Sequence, residues 1–264
     1  MSGEYRSRAG SKIKFIVNDF SLKVFAGIEP LSRWAAQKII ETSVEAISAR
    51  GRFLFVLNGG GTPTLLFQLL GTEYRDKMDW SKTHVFWGDE RCVPSDDKES
   101  SYGQAREILL NKISIPDSNV HRVNTDLGPD AASKDYASAL SRFAQPPLDW
   151  PRFDLVLLGM GEDGHTASLF PGSPIHVTEP VLAVTRHYQD RPANRVTMTP
   201  LVLNSARTIL FMVTGENKAE TLGRVLSKER DPKQLPAQRI GPKDGELIWM
   251  VDEDAAGRLP KKES

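Results

Sequence analysis

Cysteine is almost missing: Cys92 is the single one in 264 residues. One thiol cannot close an intramolecular bridge, so the chain must fold on packing alone, and it suits a reducing compartment. An excess of charge of either sign is missing too. Lys plus Arg and Asp plus Glu each number 34, for a formal net charge of zero. Nucleic acid and anionic membranes select a net basic surface, so neither is an expected partner. Long hydrophobic runs are also lacking. The longest, Leu155 to Gly161, falls far short of the roughly 20 residues that span a bilayer. Met1 to Arg8 holds Glu4 and no apolar core, so neither a secretory signal nor a transit peptide is expected. The closing Lys262-Glu263-Ser264 does not match the peroxisomal tripeptide, and the cytosol is the expected location. There is no H-E-x-x-H, no C-x-x-C and no carboxylate-rich calcium loop, so no metal or other cofactor is expected. A G-x-S-x-G elbow is absent as well, which argues against a serine-hydrolase mechanism.

What is present is ordinary for a soluble globular protein: 39% hydrophobic and 26% charged residues. The length suits one α/β domain over residues 1–264. Short apolar runs predict strands at Ile13 to Val17, Phe53 to Leu57, His84 to Trp87 and Phe153 to Leu158. Further strands are predicted at Val181 to Val184, Val196 to Thr199, Thr208 to Val213 and Leu247 to Val251. Helical patterns lie between them at Pro30 to Ser48, Pro63 to Leu70, Gln104 to Lys112, Ala131 to Phe143 and Lys218 to Leu226. Phe53 to Leu57 and Leu155 to Leu158 are continuously apolar, as strands are when helices cover both sides of a parallel sheet. The alternation predicts a doubly wound, mostly parallel, Rossmann-like α/β sheet flanked by helices. The polar stretch Lys228 to Asp244 reads as a long surface loop.

Three turns that follow strands carry chemistry. In Asn58-Gly59-Gly60-Gly61-Thr62-Pro63 the glycines let the backbone approach a ligand closely, and their N–H groups can cradle an anion. No Gly-Lys-Ser/Thr follows, so this is not a Walker loop. A ligand-free tight turn fits the motif equally well. In Gly88-Asp89-Glu90-Arg91-Cys92, Arg91 could bind a phosphate or carboxylate while a neighbouring acid orients it. Cys92 beside Arg91 could have a lowered pKa, but no partner base is assignable, and a structural thiol is the simpler reading. The third turn runs from Gly159 to Ser168. Gly159, Gly161 and Gly164 spell the dinucleotide fingerprint, yet Pro171 and Pro174 leave no room for its crossover helix, and Glu179 precedes its strand instead of ending it. The glycines therefore shape a turn presenting Asp163 and His165, and a histidine at a strand's carboxyl end is a natural general base. Arg195, opening its strand, and Lys218, at a helix N-terminus where a cation is unfavourable without an anion, complete the candidates.

Together these stretches resemble the 6-phosphogluconolactonase branch of the glucosamine-6-phosphate isomerase/6-phosphogluconolactonase superfamily. The likeness extends over roughly residues 20–257. It includes Trp87 to Pro94, Gly159 to Gly172, Arg195-Val-Thr-Met-Thr199, Gly215-Glu-Asn-Lys-Ala219, and Trp249 to Asp252 with Ala255-Ala256. The deaminase branch shares Asp-Gly-His but carries an acid in the run that follows. Here that run is Ala167-Ser-Leu-Phe-Pro171, and Arg91 stands where deaminases tend to have tyrosine. Asn58 departs from the serine usual in lactonases. The resemblance implies hydrolysis of 6-phospho-D-glucono-1,5-lactone in the pentose phosphate pathway, with His165 and Asp163 catalytic. It also implies that Asn58, Gly59, Gly60, Gly61, Thr62, Asp89, Arg91, Gly164, Arg195 and Lys218 contact a small sugar phosphate. A monomer is expected. Deaminase chemistry, a non-catalytic sugar-phosphate binder and a nucleotide-dependent dehydrogenase are the alternatives.

Overall fold

The structure, a computed structural model, describes residues 20–260. The predicted strand Ile13 to Val17 lies outside them. The described residues begin with β1 (Phe20–Phe25), α1 (Ile28–Arg50), β2 (Phe53–Leu57) and α2 (Thr64–Gly71), then β3 (Thr83–Trp87), β4 (Asp89–Arg91) and α3 (Ser101–Ile108). It continues through β5 (Val120–His121), α4 (Pro129–Ser141), β6 (Leu155–Gly159), β7 (Val181–Thr185), β8 (Asn194–Met198) and α5 (Pro200–Leu203). The last elements are β9 (Thr208–Val213), α6 (Ala219–Leu226), β10 (Glu246–Asp252) and α7 (Glu253–Ala256).

Seven strands form one parallel sheet in the order β1-β10-β9-β6-β2-β3-β5. Successive residues of β2 go to opposite cores. Phe53, Phe55 and Leu57 pack with Leu31, Ala35 and Ile39 of α1 and Leu66 and Leu70 of α2. Leu54 and Val56 pack with Ala132, Tyr136 and Leu140 of α4 and Val202 of α5. A run of five fully apolar residues is what this two-sided burial requires. Each helix is delimited by local chemistry. Gly51, at φ +75°, ends α1 with its N–H on the Ile47 carbonyl. Pro129 sits in the first turn of α4. The Tyr136 hydroxyl then ties α4 to the end of β3, accepting from the Trp87 N–H at 2.8 Å and donating to the Trp87 carbonyl at 2.9 Å.

The structure departs from the expected arrangement in two places. β7 and β8 are strands, but they join β4 in a separate antiparallel sheet. The Lys228 to Asp244 stretch is not a mere surface loop: Leu235, Ala237, Gln238 and Ile240 are buried. Gln238 ties the stretch to the end of α6 by donating from Nε2 to the carbonyls of Arg224, Val225 and Glu229.

At the edge of the main sheet His84 and His121 bring ring nitrogens within 3.1 Å of each other among Phe86 and Phe143. Burial, then the neighbouring His84 and Arg142, push His121 down to about 4. Burial and then Arg52 lower His84. An unfolded histidine titrates near 6.5, so between about pH 6.5 and 4 the unfolded chain binds protons that the native pair refuses. Stability is present above that window and lost as the pH falls through it. Thermal unfolding followed at pH 7, 6 and 5 is expected to show a falling Tm, and His121→Phe is expected to flatten the fall.

Candidate active site

The sheet's strand order grows outward in two directions from one seam. From β2 it runs to β3 and β5; from β6 it runs to β9, β10 and β1. β2 and β6 are neighbours at this reversal, and their carboxyl ends leave the crevice in which open α/β sheets hold ligands. The Asn58 to Pro63 turn leaves β2 and the Gly161 to Ser168 turn leaves β6. The antiparallel sheet brings Asp89, Arg91 and Arg195 to the same crevice, and the 3-10 turn Glu216–Lys218 after β9 brings Lys218. The resulting cleft, about 210 Å³, is lined by Asn58, Gly59, Gly60, Gly61, Thr62, Asp89, Arg91, His165, Arg195 and Lys218. Ten of the twelve candidates thus converge.

Asp163 stands behind His165. Its Oδ1 lies 2.6 Å from His165 Nδ1 and also accepts from the His165 backbone N–H at 3.1 Å. Burial raises the Asp163 carboxyl, but the hydrogen bonds from His165 outweigh it, and the net displacement is downward. Asp163 is therefore ionised and acceptor-only, which places a proton on Nδ1 and leaves Nε2 as the free basic nitrogen. The imidazole lies against Gly161, where an added Cβ would collide with His165 Cε1 and Nδ1 and come within 2.8 Å of Asp163 Oδ1. Gly161 also donates its N–H to the His165 carbonyl at 2.9 Å. Gly164, expected among the ligand contacts, is not at the cleft. Its φ of +82° closes the turn, Leu235 packs against it, and its carbonyl accepts from Ala237. Its glycine is demanded by the turn and by packing.

The residues after His165 are pinned on three sides. Thr166 Oγ1 donates to the Gly159 carbonyl at 2.8 Å, and Ser168 Oγ donates to Asp89 Oδ2 at 2.7 Å. The Ser168 N–H reaches Thr197 Oγ1 at 3.2 Å. Alternation along β4 splits its charges. Asp89 and Arg91 face the cleft, while Glu90 points away and caps α3, accepting from the N–H groups of Ser101 and Tyr102 at 2.7 Å each. Burial raises Glu90 despite these donors. The acid that holds Arg91 is Glu99: its carbonyl accepts from Arg91 Nη1 at 2.7 Å and its carboxylate lies 3.7 Å away. Arg91 does not activate Cys92, whose thiol burial, and then Glu90, push up to about 11.

Arg195 is 3% exposed, and its Nε has no hydrogen-bond partner among the described residues. Its register partner in β4 is Arg91, a like charge. Burial lowers the Arg195 pKa, Asp89 pulls the other way, and Arg91 and Arg191 add to the lowering. Burial also lowers Lys218, against Glu162 and Asp252. Burial thus holds two cations of one cleft below their ordinary values, although acids stand near both.

The cleft is also lined by Glu162, Ala167 and Asn217, which lie within the stretches that carry the resemblance, and by Tyr188, Gln189 and Arg191, which lie in none of them. Glu162 Oε1 accepts from Asn217 Nδ2 at 2.5 Å, which ties the His165 turn to the Lys218 turn. Polar residues flanking the Gly215 turn were the available signal for Asn217. Nothing local marks Tyr188 or Arg191. Among the described residues, no group of three or more His, Cys, Asp or Glu could hold a metal ion. Nor, among them, is any helix long and apolar enough to cross a membrane.

A 6-phosphogluconolactonase of Synechocystis sp. is 40% identical over 217 residues, covering 81% of this chain and 88% of that one. A 6-phosphogluconolactonase of Mycobacterium tuberculosis is 36% identical over 248 residues, covering 91% and 98%. The solved structure of 6-phosphogluconolactonase from Trypanosoma brucei superposes with a TM-score of 0.79 at 29% identity, covering 91% of this chain and 99% of that one. Residues 28–249 match the family described as glucosamine-6-phosphate isomerases/6-phosphogluconolactonase, and the chain belongs to that family.

Proposed function

We propose that the chain hydrolyses 6-phospho-D-glucono-1,5-lactone to 6-phosphogluconate in the pentose phosphate pathway, with His165 as the general base. The relatives of this fold and length act on that lactone by name. The observation that carries the reading is one cleft holding both an Asp163-oriented imidazole and two cations, Arg195 and Lys218, that burial makes costly without an anion.

His165 Nε2 takes a proton from a water molecule as its oxygen adds to the lactone carbonyl carbon. Collapse of the tetrahedral adduct breaks the bond from that carbon to the ring oxygen, and the imidazolium returns the proton to the departing alkoxide. Asp163 fixes the tautomer and stabilises the imidazolium. The phosphate lies on the Asn58 to Thr62 turn with Arg195 and Lys218, where a dianion offsets the cost of burying the two cations. Asp89 holds the His165 turn through Ser168, and Arg91, braced by Glu99, supplies a further cation at the cleft. The run from Ala167 to Pro171 has no acid to serve the ring opening of a deaminase. One domain, acting as a monomer in the cytosol, completes the reading.

Turnover of 6-phosphogluconolactone above its spontaneous hydrolysis is the direct test, compared with the unphosphorylated lactone and with ammonia release from glucosamine 6-phosphate. The expected result is fast hydrolysis of the phosphorylated lactone and kcat/KM at least about 100-fold lower without the phosphate, the worth of about two charge-assisted hydrogen bonds. Equal turnover of both lactones would remove the phosphate assignment, and ammonia release would move the chain to the other chemistry.

A further inference from the structure

We infer that Tyr188 is a positioning residue for His165, carried to the imidazole on the tip of the β7–β8 hairpin. The inference rests on His165 as the general base. A single bond from Nδ1 to Asp163 fixes one point of the ring and leaves its plane free to tilt about that point. Two aromatic rings remove that freedom. Phe170, buried, lies with its centroid 4.7 Å from the imidazole at 35°. Tyr188 meets the imidazole edge-on at 4.9 Å and 78°, and stands 5.7 Å from Phe170. Phe170 belongs to the same turn as His165. Tyr188 arrives from the antiparallel sheet, so its contact forms only when the hairpin is docked.

The tip is built to need that docking. The Arg191 N–H bonds the Tyr188 carbonyl at 3.1 Å, and Gln189 and Asp190 between them are both left-handed, at φ +48° and +54°. Side-chain-bearing residues adopt such a turn reluctantly, so contacts outside the tip must hold it. They include the Tyr188 ring against His165 and Phe170, the Tyr188 hydroxyl at the Glu162 backbone, and Arg191 Nη1 at 3.0 Å from Glu99 Oε2. Through Glu99 the tip is joined to Arg91, so docking sets the base on one wall of the cleft and braces the cation on another.

A ring that only positions the base should act on kcat and should not need its hydroxyl. The test compares kcat and KM for Tyr188→Phe, Tyr188→Leu, Tyr188→Ala and His165→Ala, each checked for parental thermal unfolding. Tyr188→Ala is expected to lose about 10- to 100-fold in kcat with KM within about twofold, the cost of a misplaced catalytic group. Tyr188→Leu should fall between, and Tyr188→Phe should stay within about threefold of the parent. A second readout does not depend on turnover. The His165 Cε1–Hε1 signal in a proton–carbon spectrum, assigned by its loss in His165→Ala, should move in Tyr188→Ala and stay in place in Tyr188→Phe. Unchanged kcat in Tyr188→Ala, a rise confined to KM, or equal damage in Tyr188→Phe would each overturn the inference while leaving an impaired His165→Ala to support the base. An unimpaired His165→Ala would overturn the base, and the inference with it.

Discussion

Replacing His165 by Ala is expected to lower kcat for the phosphorylated lactone by about 10²- to 10⁴-fold while leaving KM nearly unchanged. In the proposed reading the imidazole does not carry the phosphate, which falls to the Asn58 to Thr62 turn, Arg195 and Lys218 of the same cleft. Its loss therefore removes proton transfer and leaves binding. The turn should survive, because Asp163 Oδ1 also accepts from the backbone N–H of residue 165, a bond indifferent to the side chain. The Gly161 N–H to residue 165 carbonyl bond is equally indifferent. Circular dichroism and thermal unfolding should thus match the parent. A variant that is folded and fully active would show that water is activated elsewhere in the cleft.

The second large effect is expected at Arg195, and it should have two faces. Arg195→Met is predicted to lower kcat/KM by about 10- to 100-fold, the loss of one or two hydrogen bonds to a charged group. The same substitution should leave Tm unchanged or raise it. In the absence of substrate a buried guanidinium facing Arg91 and Arg191 is costly, and a well-packed apolar side chain of similar length is often no worse than a buried charge. Its stacking on Phe170, 5.4 Å from the ring, returns only part of that cost. Scanning calorimetry beside steady-state kinetics checks both halves. A large fall in Tm would mean that Arg195 holds the fold together, and its place in binding would then have to be argued afresh. Added inorganic phosphate should stabilise the parent more than the variant.

Much of the site was legible because its chemistry lies in short turns directly after buried strands. Phe53 to Leu57 and Leu155 to Leu158 announce two-sided burial, and whatever follows such strands is at the ligand-binding end of a parallel sheet. That reasoning reached Asn58 to Thr62, Asp163 and His165 without knowledge of the strand order. It could not reach Tyr188 or Arg191, which lie in a polar hairpin whose relation to His165 exists only in three dimensions. It also assigned Gly164 to the ligand because glycines in a turn serve either close approach or a left-handed φ. The two uses look alike in sequence: Gly161 serves the first, Gly164 the second. Glu90 and Glu99 show the same limit. An acid beside Arg91 was the natural partner, yet strand alternation turns Glu90 away, and the partner comes from a loop eight residues on. β4 has three residues and β5 two, too few for any periodicity to register.

The strand order also dictates when the sheet can be finished. Among the described residues β1 pairs with β10 alone, and β10 lies between it and β9. During synthesis at about 5–20 residues per second, about 220 residues must follow β1 before its partner is made, a wait of roughly ten seconds to most of a minute. Throughout that interval Leu22 has no sheet to enter, and the near edge of β9 is open. The insertion of β10 closes both at once, so the described strands join into one sheet in a single late event.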